Sequence, residues 1–486
     1  MQLGSCCRLI QTPKKLVSGG AVGPQLADCS LFFRRQSPQK GNNMIDKNLY
    51  AVRNPLITTE RIQPAFSVFL LHYNGIDYPV YLNDTAAEVM HLCDGTKRVS
   101  QIYTHLAQKY DQPEKEIEEL LSDFWDMSSR CKHIVFTDTP APYTKMKVFG
   151  SPDYWTPDLL SVELTHRCPL RCKHCFLSAG SGPMMTADTW AEILDSVLIM
   201  KIPQVQLTGG EPLLHPSFFD MADALLRNDI TIHIFTSGVV YSDEIFARFK
   251  EYEKYKKKVN FQISLDGLAE YHDEFRGVKG SFDRSVHFIK TITAMGFKTI
   301  VGTTVHSQSF SELEQLCALC KEIGVSVMRI GGISNRGRAE ENGIESHSQE
   351  IIDILDIKQK LSAKFADSTF KIQLNEDHNS QEKTYLLNCG LGQTSVKIGP
   401  EGDVFPCMMA DMSYANINRI SLLDIQKKYS RMFEKLVPPS KEMCAGCKDQ
   451  LLCEKCIVEG CAHAKHISCR WHDENAASMN RCFKGA

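Results

Sequence analysis

Three cysteines fall within eight residues in Cys168-Pro-Leu-Arg-Cys172-Lys-His-Cys175, and no fourth lies nearby. Thiolates are soft ligands that hold zinc and iron–sulfur clusters. A 4Fe-4S cube gripped by only three of them keeps one iron without a protein ligand, the opening a substrate or cofactor needs. Gaps of three and two residues let a single loop wrap one face of such a cube. A zinc knuckle is the alternative, but it closes its tetrahedron with a fourth ligand. A second concentration follows near the carboxyl end, where nine of the 19 cysteines lie between 389 and 482. In a large chain without a secretory signal core, such groupings more often bind metal than form disulfides.

The elements around the first group are predicted from their periodicity. From 158 to 335 strand-like runs alternate with helix-like ones: LLSVELT, QVQLT, TIHIFT, VNFQISL, KTIVGTTV and VSVMRI, with helices near 187–200, 217–228, 243–250, 282–295 and 311–322. Such alternation predicts an α/β fold, a parallel sheet with helices outside, most simply a partial (β/α)6 TIM-like barrel over 158–375. Chemistry in such barrels sits at the carboxyl ends of the strands. Cys168 follows the first strand, Gly209-Gly210-Glu211 the second, Ser237 the third and Asp266 the fourth. After 389 the periodicity fades into a loop-rich, cysteine-rich region expected to need metal to fold.

Upstream, FSVFLLHY (66–73) and DYPVYL (77–82) are joined by Asn74-Gly75, a hairpin signal because both residues tolerate the positive φ of a type I′ turn. Thr85 with Glu88 reads as a capping box for a short helix ending near Asp94-Gly95. Ser100 is expected to cap a helix carrying Ile102, Leu106 and Tyr110, and Pro113 to open another with Ile117, Leu120, Leu121 and Phe124 on one face. A small α+β module over 61–138 results, followed by a linker over 139–157 marked by Pro140 and Pro142. Residues 1–60 are expected to be a disordered extension. The first 43 are basic, acid-poor and include Arg34 and Arg35, which weakly resembles an organelle transit peptide; a simple extension, or a start at Met44, is the alternative.

Composition limits the partners. The 486 residues are 43% hydrophobic and 23% charged with a net charge of −3, which gives no bulk attraction to nucleic acid or an anionic membrane. No apolar run is long enough to span a bilayer. An oxygen-sensitive cluster would make a reducing cytoplasm the natural location.

The CxxxCxxC loop and its barrel setting resemble the radical S-adenosylmethionine (SAM) superfamily. Thr208-Gly209-Gly210-Glu211-Pro212 is similar to that family's GGEP motif, and Ile263-Ser264-Leu265-Asp266-Gly267 and His272-Asp273-Glu274-Phe275-Arg276-Gly277 resemble stretches common in it. The resemblance implies that Cys168, Cys172 and Cys175 hold a catalytic 4Fe-4S cluster whose open iron binds S-adenosyl-L-methionine. An electron from the cluster, supplied by a donor of flavodoxin or ferredoxin type, would then cleave it to methionine and a 5′-deoxyadenosyl radical. It also implies cofactor contacts at Gly209, Gly210, Glu211, Pro212, Ser237, Ser264 and Asp266, the glycines because backbone must approach ligand closely. His174 lies where the family tends to place an aromatic ring near the cofactor; a solvated loop histidine is the plainer reading.

The carboxyl-terminal cysteines, Cys389, Cys407, Cys444, Cys447, Cys453, Cys456, Cys461, Cys469 and Cys482, are similar in arrangement to the SPASM extension of these enzymes, which carries two auxiliary 4Fe-4S clusters. By that resemblance one cluster takes Cys389, Cys407 and Cys456 and the other Cys444, Cys447, Cys453 and Cys469, with Cys461 and Cys482 as alternates. The spacing after Cys453 departs from the family pattern, and a pair of zinc sites would use the same ligands. Residues 66–136 resemble the PqqD-like domain that binds the leader of a ribosomally made precursor peptide, with Leu82-Asn83-Asp84-Thr85-Ala86 and Asp94-Gly95-Thr96 as short matches. A DNA-binding winged helix is the alternative, but eleven Asp and Glu against six Lys and Arg would repel phosphate. Together the three modules resemble the maturases of thioether-bridged (sactionine) peptides. Other peptide products of the same radical chemistry, or a non-catalytic zinc-stapled peptide carrier, are the competing readings.

Overall fold

The computed structural model describes residues 45–73, 76–143, 145–344, 348–374, 386–465 and 468–483. The basic segment 1–43, with its resemblance to a transit peptide, and the Asn74-Gly75 turn lie outside the described residues. The chain divides into two compact units, one ending at Asp153 and the other starting at Tyr154. Among the described residues no helix is long and apolar enough to cross a membrane.

The first unit runs β1 (Tyr50–Arg53), β2 (Ile57–Gln63), β3 (Phe66–Tyr73), β4 (Ile76–Leu82), α1 (Asp84–Leu92), β5 (Asp94–Arg98), α2 (Val99–Tyr110), α3 (Glu114–Arg130), β6 (Ile134–Thr137) and β7 (Lys147–Gly150). Its sheets have the orders β5-β1-β6 and β4-β3-β2-β7. The hairpin strands pair antiparallel from Ser67↔Leu82 to Tyr73↔Ile76. Pro113 immediately precedes α3, whose first turn carries Glu114 and Glu116 and whose last carries Arg130, each matched to the helix dipole. Ile117, Leu121, Phe124 and Trp125 form its buried face, with Trp125 edge-on to Phe124 and Tyr103.

Four local expectations are corrected. Asn83, not Thr85, caps α1, because its extended backbone lets Oδ1 accept from the Ala86 N–H at 2.8 Å. α2 starts at Val99, so Ser100 sits inside the first turn, and the Arg98 N–H is taken by the Gln101 side chain. Ordered chain begins well before residue 61, and the stretch expected as a linker contains β7, which pairs with β2. Short strands whose partners are distant in sequence carry little local signal.

The second unit opens with β8 (Leu159–Thr165), α4 (Ala187–Met200), β9 (Gln204–Gly209), α5 (Phe218–Arg227), β10 (Thr231–Thr236), α6 (Asp243–Lys250), β11 (Val259–Ser264), α7 (Ala269–Arg276) and α8 (Ser281–Ala294). It continues through β12 (Lys298–Thr304), α9 (Phe310–Ile323), β13 (Val327–Gly331), α10 (Arg338–Glu341), α11 (Ser348–Phe365) and β14 (Lys371–Leu374). β8 to β14 are neighbours in chain order and every pair is parallel, an open, partial barrel rather than a closed one. Thr186, Ser242 and Ser309 cap α4, α6 and α9 with side-chain oxygens. Leu160, Val162, Leu207, Ile234 and Phe261 bury one strand face against Leu225, Phe249 and Phe288 of the helices. Ser161, Glu163 and Thr165 alternate onto the other face, as strand geometry requires.

The rest of the chain joins the same unit. β15 (Ser395–Ile398) runs parallel beside β8, and β16 (Asp403–Phe405) and β17 (Ala415–Asn416) extend the sheet antiparallel. α12 (Leu422–Tyr429), α13 (Gln450–Cys453), α14 (Ile457–His463) and α15 (Arg470–Phe483) follow. Trp471 is buried, its indole N–H on the Val437 carbonyl at 2.9 Å, and a Cβ on Gly460 would meet its ring at 2.7 Å. The expected domain boundary at 375/376 lies at the edge of the undescribed 375–385.

Candidate active site

The 168–175 loop leaves the carboxyl end of β8 and is pinned from three sides. Cys168 N donates to Gly180 O at 2.9 Å. Arg171 N and Lys173 N donate to the carbonyls of Arg276 and Phe275, at 3.0 and 2.9 Å, at the end of α7. From the segment after β13, Arg338 N meets Cys175 O at 2.9 Å, Arg338 Nε meets Cys172 O at 2.8 Å, and the Asn342 amide meets Lys173 O at 2.9 Å. A cleft of about 530 Å³ opens beside it, lined by Arg167, Cys168, Pro169, Gly180, Gly182 and Leu214.

The three loop thiols lie within electrostatic reach of one another and are free. Burial pushes the Cys168 thiol up to about 12, with Glu211, Cys172 and Cys175 adding to the rise. Burial also raises Cys172, against the pull of Arg276. Buried, mutually repelling thiols gain from a cationic centre that accepts them as thiolates. Among the described residues no three His, Cys, Asp or Glu side chains converge closely enough to hold a single metal ion. A soft three-sulfur donor set of this kind fits an iron–sulfur cluster.

The remaining rim residues are placed with less freedom than the sequence suggested. Gly209 and Gly210 allow a close approach to the end of β8 and the residues leading into the cluster loop: a Cβ would lie 2.3 Å from Thr165 O and 2.5 Å from Arg167 O respectively. Gly210 N and Glu211 N donate to those same carbonyls, and Pro212 opens a single 3-10 turn. The Glu211 carboxylate is fully buried and accepts from Thr236 Oγ1 at 2.7 Å, Ser237 N at 2.9 Å and Ser237 Oγ at 2.5 Å. It therefore anchors the end of β10, and Ser237 is occupied with it. Ser264 ends β11 opposite Gly302.

Asp266 is also fully buried. Its Oδ2 accepts from Arg276 Nε at 2.6 Å and its Oδ1 from Thr304 N at 2.9 Å. Burial alone would raise this carboxyl, but Arg276 first, then His174 and His272, hold it below the usual range. His174 stacks on Phe275, centroids 4.2 Å apart and 12° between planes, and burial pushes it down to about 4. It is a neutral, flat wall rather than a solvated loop side chain. Phe275 and Arg276 lie in the 272–277 stretch without a local signal of their own, and Arg338 has none either, because no local pattern marks a side chain that acts on a loop so distant in sequence.

The later cysteines fall into two electrostatic neighbourhoods. Cys407, Cys389 and Cys456 perturb one another, and Cys456 Sγ also accepts from Glu459 N at 3.4 Å. Cys444, Cys447, Cys453 and Cys469 form the other. Cys461 faces Met479, with the sulfurs 3.3 Å apart, and senses Cys469 but also Arg336 and Asp411. Cys482 is on α15, with its side chain outside the described residues. Arg336 links the barrel to this region through Glu459 at 2.9 Å and the Met409 carbonyl.

The partial parallel barrel carries a three-thiol loop at its carboxyl rim and is followed by a cysteine-rich extension, and the domain matches give it as a radical SAM enzyme. Residues 162–320 match the Radical SAM superfamily, 68–132 match the coenzyme PQQ synthesis protein D (PqqD) family, and 389–448 match the SPASM iron-sulfur cluster-binding domain. These domains imply SAM, a 4Fe-4S cluster and further iron–sulfur clusters as cofactors. Among curated relatives, the antilisterial bacteriocin subtilosin biosynthesis protein AlbA of Bacillus subtilis is 26% identical over 80% of this chain and 88% of its own. The sporulation killing factor maturation protein SkfB of the same organism is 26% identical over 58% of this chain and 67% of its own. Among solved structures, Streptococcus suis SuiB bound to S-adenosylmethionine shares the fold with a TM-score of 0.58 at 14% identity, covering 88% of this chain and 98% of that one.

Proposed function

We propose that this enzyme modifies a ribosomally made precursor peptide, installing sulfur-to-carbon thioether crosslinks of the sactionine type. The observation that carries the reading is the match to AlbA, a bacteriocin biosynthesis protein, across four fifths of the chain, with SkfB beside it. Cys168, Cys172 and Cys175 are the residues that would hold the catalytic cluster. Cys389, Cys407 and Cys456 would hold one auxiliary cluster, and Cys444, Cys447, Cys453 and Cys469 the other. When bound, the cluster and SAM supply a 5′-deoxyadenosyl radical able to take hydrogen from a peptide carbon.

The chain's own groups supply binding and shielding. β4 is the terminal strand of its sheet, with no further strand beside it among the described residues, so an extended leader can add there. The stacked His174 and Phe275 rings wall the cluster loop, and neutral His174 brings no charge to it. A bridge between a thiol sulfur and a carbon releases two hydrogens and leaves an electron to be removed, a task suited to the auxiliary sites. A flavodoxin- or ferredoxin-type donor would reduce the catalytic cluster, and the reducing cytoplasm suits such groups.

A second reading keeps the radical step and changes the product. The relatives include the mycofactocin maturase MftC of Mycobacterium tuberculosis and the PqqA peptide cyclase of Gluconobacter oxydans. Mass spectrometry of a cysteine-containing precursor deuterated at single carbons separates the two. Loss of α-deuterium with two hydrogens per bridge supports the sactionine; loss from another carbon, or a bridge without sulfur, contradicts it.

A further inference from the structure

Arg276 closes α7 from a position almost sealed from solvent, and its guanidinium meets a carboxylate on one side and a cysteine sulfur on the other. Nε donates to Asp266 at 2.6 Å, while a terminal N–H points at Cys172 Sγ, 3.6 Å away. Asp266 cannot turn to follow it. Its other oxygen is held by Thr304 N, its own N–H by His272 Nδ1 at 3.1 Å, and its carbonyl by the Gln308 amide. The planar guanidinium is thereby aimed at the sulfur before anything binds.

We propose that Arg276 raises the reduction potential of the cluster held by the 168–175 loop by giving the Cys172 sulfur a charge-assisted N–H bond. The inference rests on the reading that Cys168, Cys172 and Cys175 hold that cluster. Reduction adds negative charge that spreads onto the ligand sulfurs. A fixed cation and a hydrogen-bond donor at one sulfur stabilise the reduced form more than the oxidised form, the more so where water is excluded. Asp266 offsets part of this field, but it lies behind the guanidinium, which therefore presents its positive side to Cys172. A purely structural role is served elsewhere in the same residue, because the Arg276 backbone carbonyl, not its side chain, receives the Arg171 N–H.

The test is a redox titration of the full-length, anaerobically reconstituted protein and its R276K, R276Q and R276M variants. It follows the electron paramagnetic resonance signal that changes when SAM is added, which separates the catalytic cluster from the auxiliary ones. At a fixed solution potential, R276Q and R276M should show about a tenfold lower ratio of reduced to oxidised cluster, equivalent to about 59 mV for a one-electron couple. R276K, which keeps the charge, should recover most of it. Unchanged potentials in R276Q and R276M at wild-type iron content overturn the inference; if neither variant takes up iron, pulsed electron paramagnetic resonance of the wild type carrying guanidino-15N arginine decides, and absence of a 15N coupling to the SAM-responsive cluster overturns it. A wild-type protein with no SAM-responsive signal would instead remove the reading of the loop itself.

Discussion

Arg338 holds the backbone of Cys172, its Nε donating to the Cys172 carbonyl at 2.8 Å. Its terminal N–H also reaches Ala179 O at 2.6 Å, and its main-chain N–H the Cys175 carbonyl, so one residue clamps the second half of the cysteine loop and the turn after it. Hydrogen bonds from a charged donor are worth about 1.5–3 kcal/mol each. R338A should therefore load markedly less catalytic-site iron on reconstitution, with R338K intermediate and the auxiliary iron retained. Iron analysis with and without the auxiliary cysteines checks this.

Gly210 sets the gap between the second strand and the loop. A methyl 2.5 Å from Arg167 O cannot be accommodated without moving backbone. G210A should lower iron content and SAM cleavage together, whereas alanine at Gly296, where a Cβ would meet nothing within 4 Å, should leave both intact despite its positive φ. Equal behaviour of the two variants would contradict the packing argument.

The two later cysteine neighbourhoods predict an iron count. C389A, C407A and C456A should each remove about four irons per chain, the content of one cube. C461A should remove none, because its sulfur packs on Met479. Loss of iron from C461A would place it among the ligands.

His233 on β10 gives a pH dependence. Burial, with Lys298 and Arg329 adding, pushes it down to about 4 in the folded chain, below its ordinary 6.5. The unfolded chain therefore binds a proton that the native one refuses between those values. Stability should be fully present above pH 6.5 and fall as pH drops toward 4. Denaturant unfolding at pH 7 and pH 5 should show the loss, and H233Q, which can still meet Gln204, should reduce it.

Leader addition predicts slower amide hydrogen exchange in β4, Ile76–Leu82, when the precursor peptide is added. Protection confined to α2 or α3 would place the peptide elsewhere.

What the sequence showed and what it concealed follow one physical division. The three-thiol loop, the six strand–helix units and the 66–82 hairpin strands rest on spacing or local periodicity, and each is readable in a short window. β15 joins β8 across more than two hundred residues, and β7 joins β2 across the whole first module, so neither announces itself locally. The rim residues were located on the right strand ends, but burial had already committed Glu211 to Ser237 and Asp266 to Arg276. A carboxylate's partner is a property of the packed structure. The cysteine-rich segment, expected to lean on metal, also buries Leu422, Phe433 and Trp471 in the shared core.

The most direct test is 5′-deoxyadenosine formation by the reduced, anaerobically reconstituted full-length enzyme, beside its C168S, C172S and C175S variants. The wild type should release it from SAM and each variant should release none. Cleavage that survives any of the three substitutions at the wild-type rate would contradict the assignment of this loop as the catalytic centre.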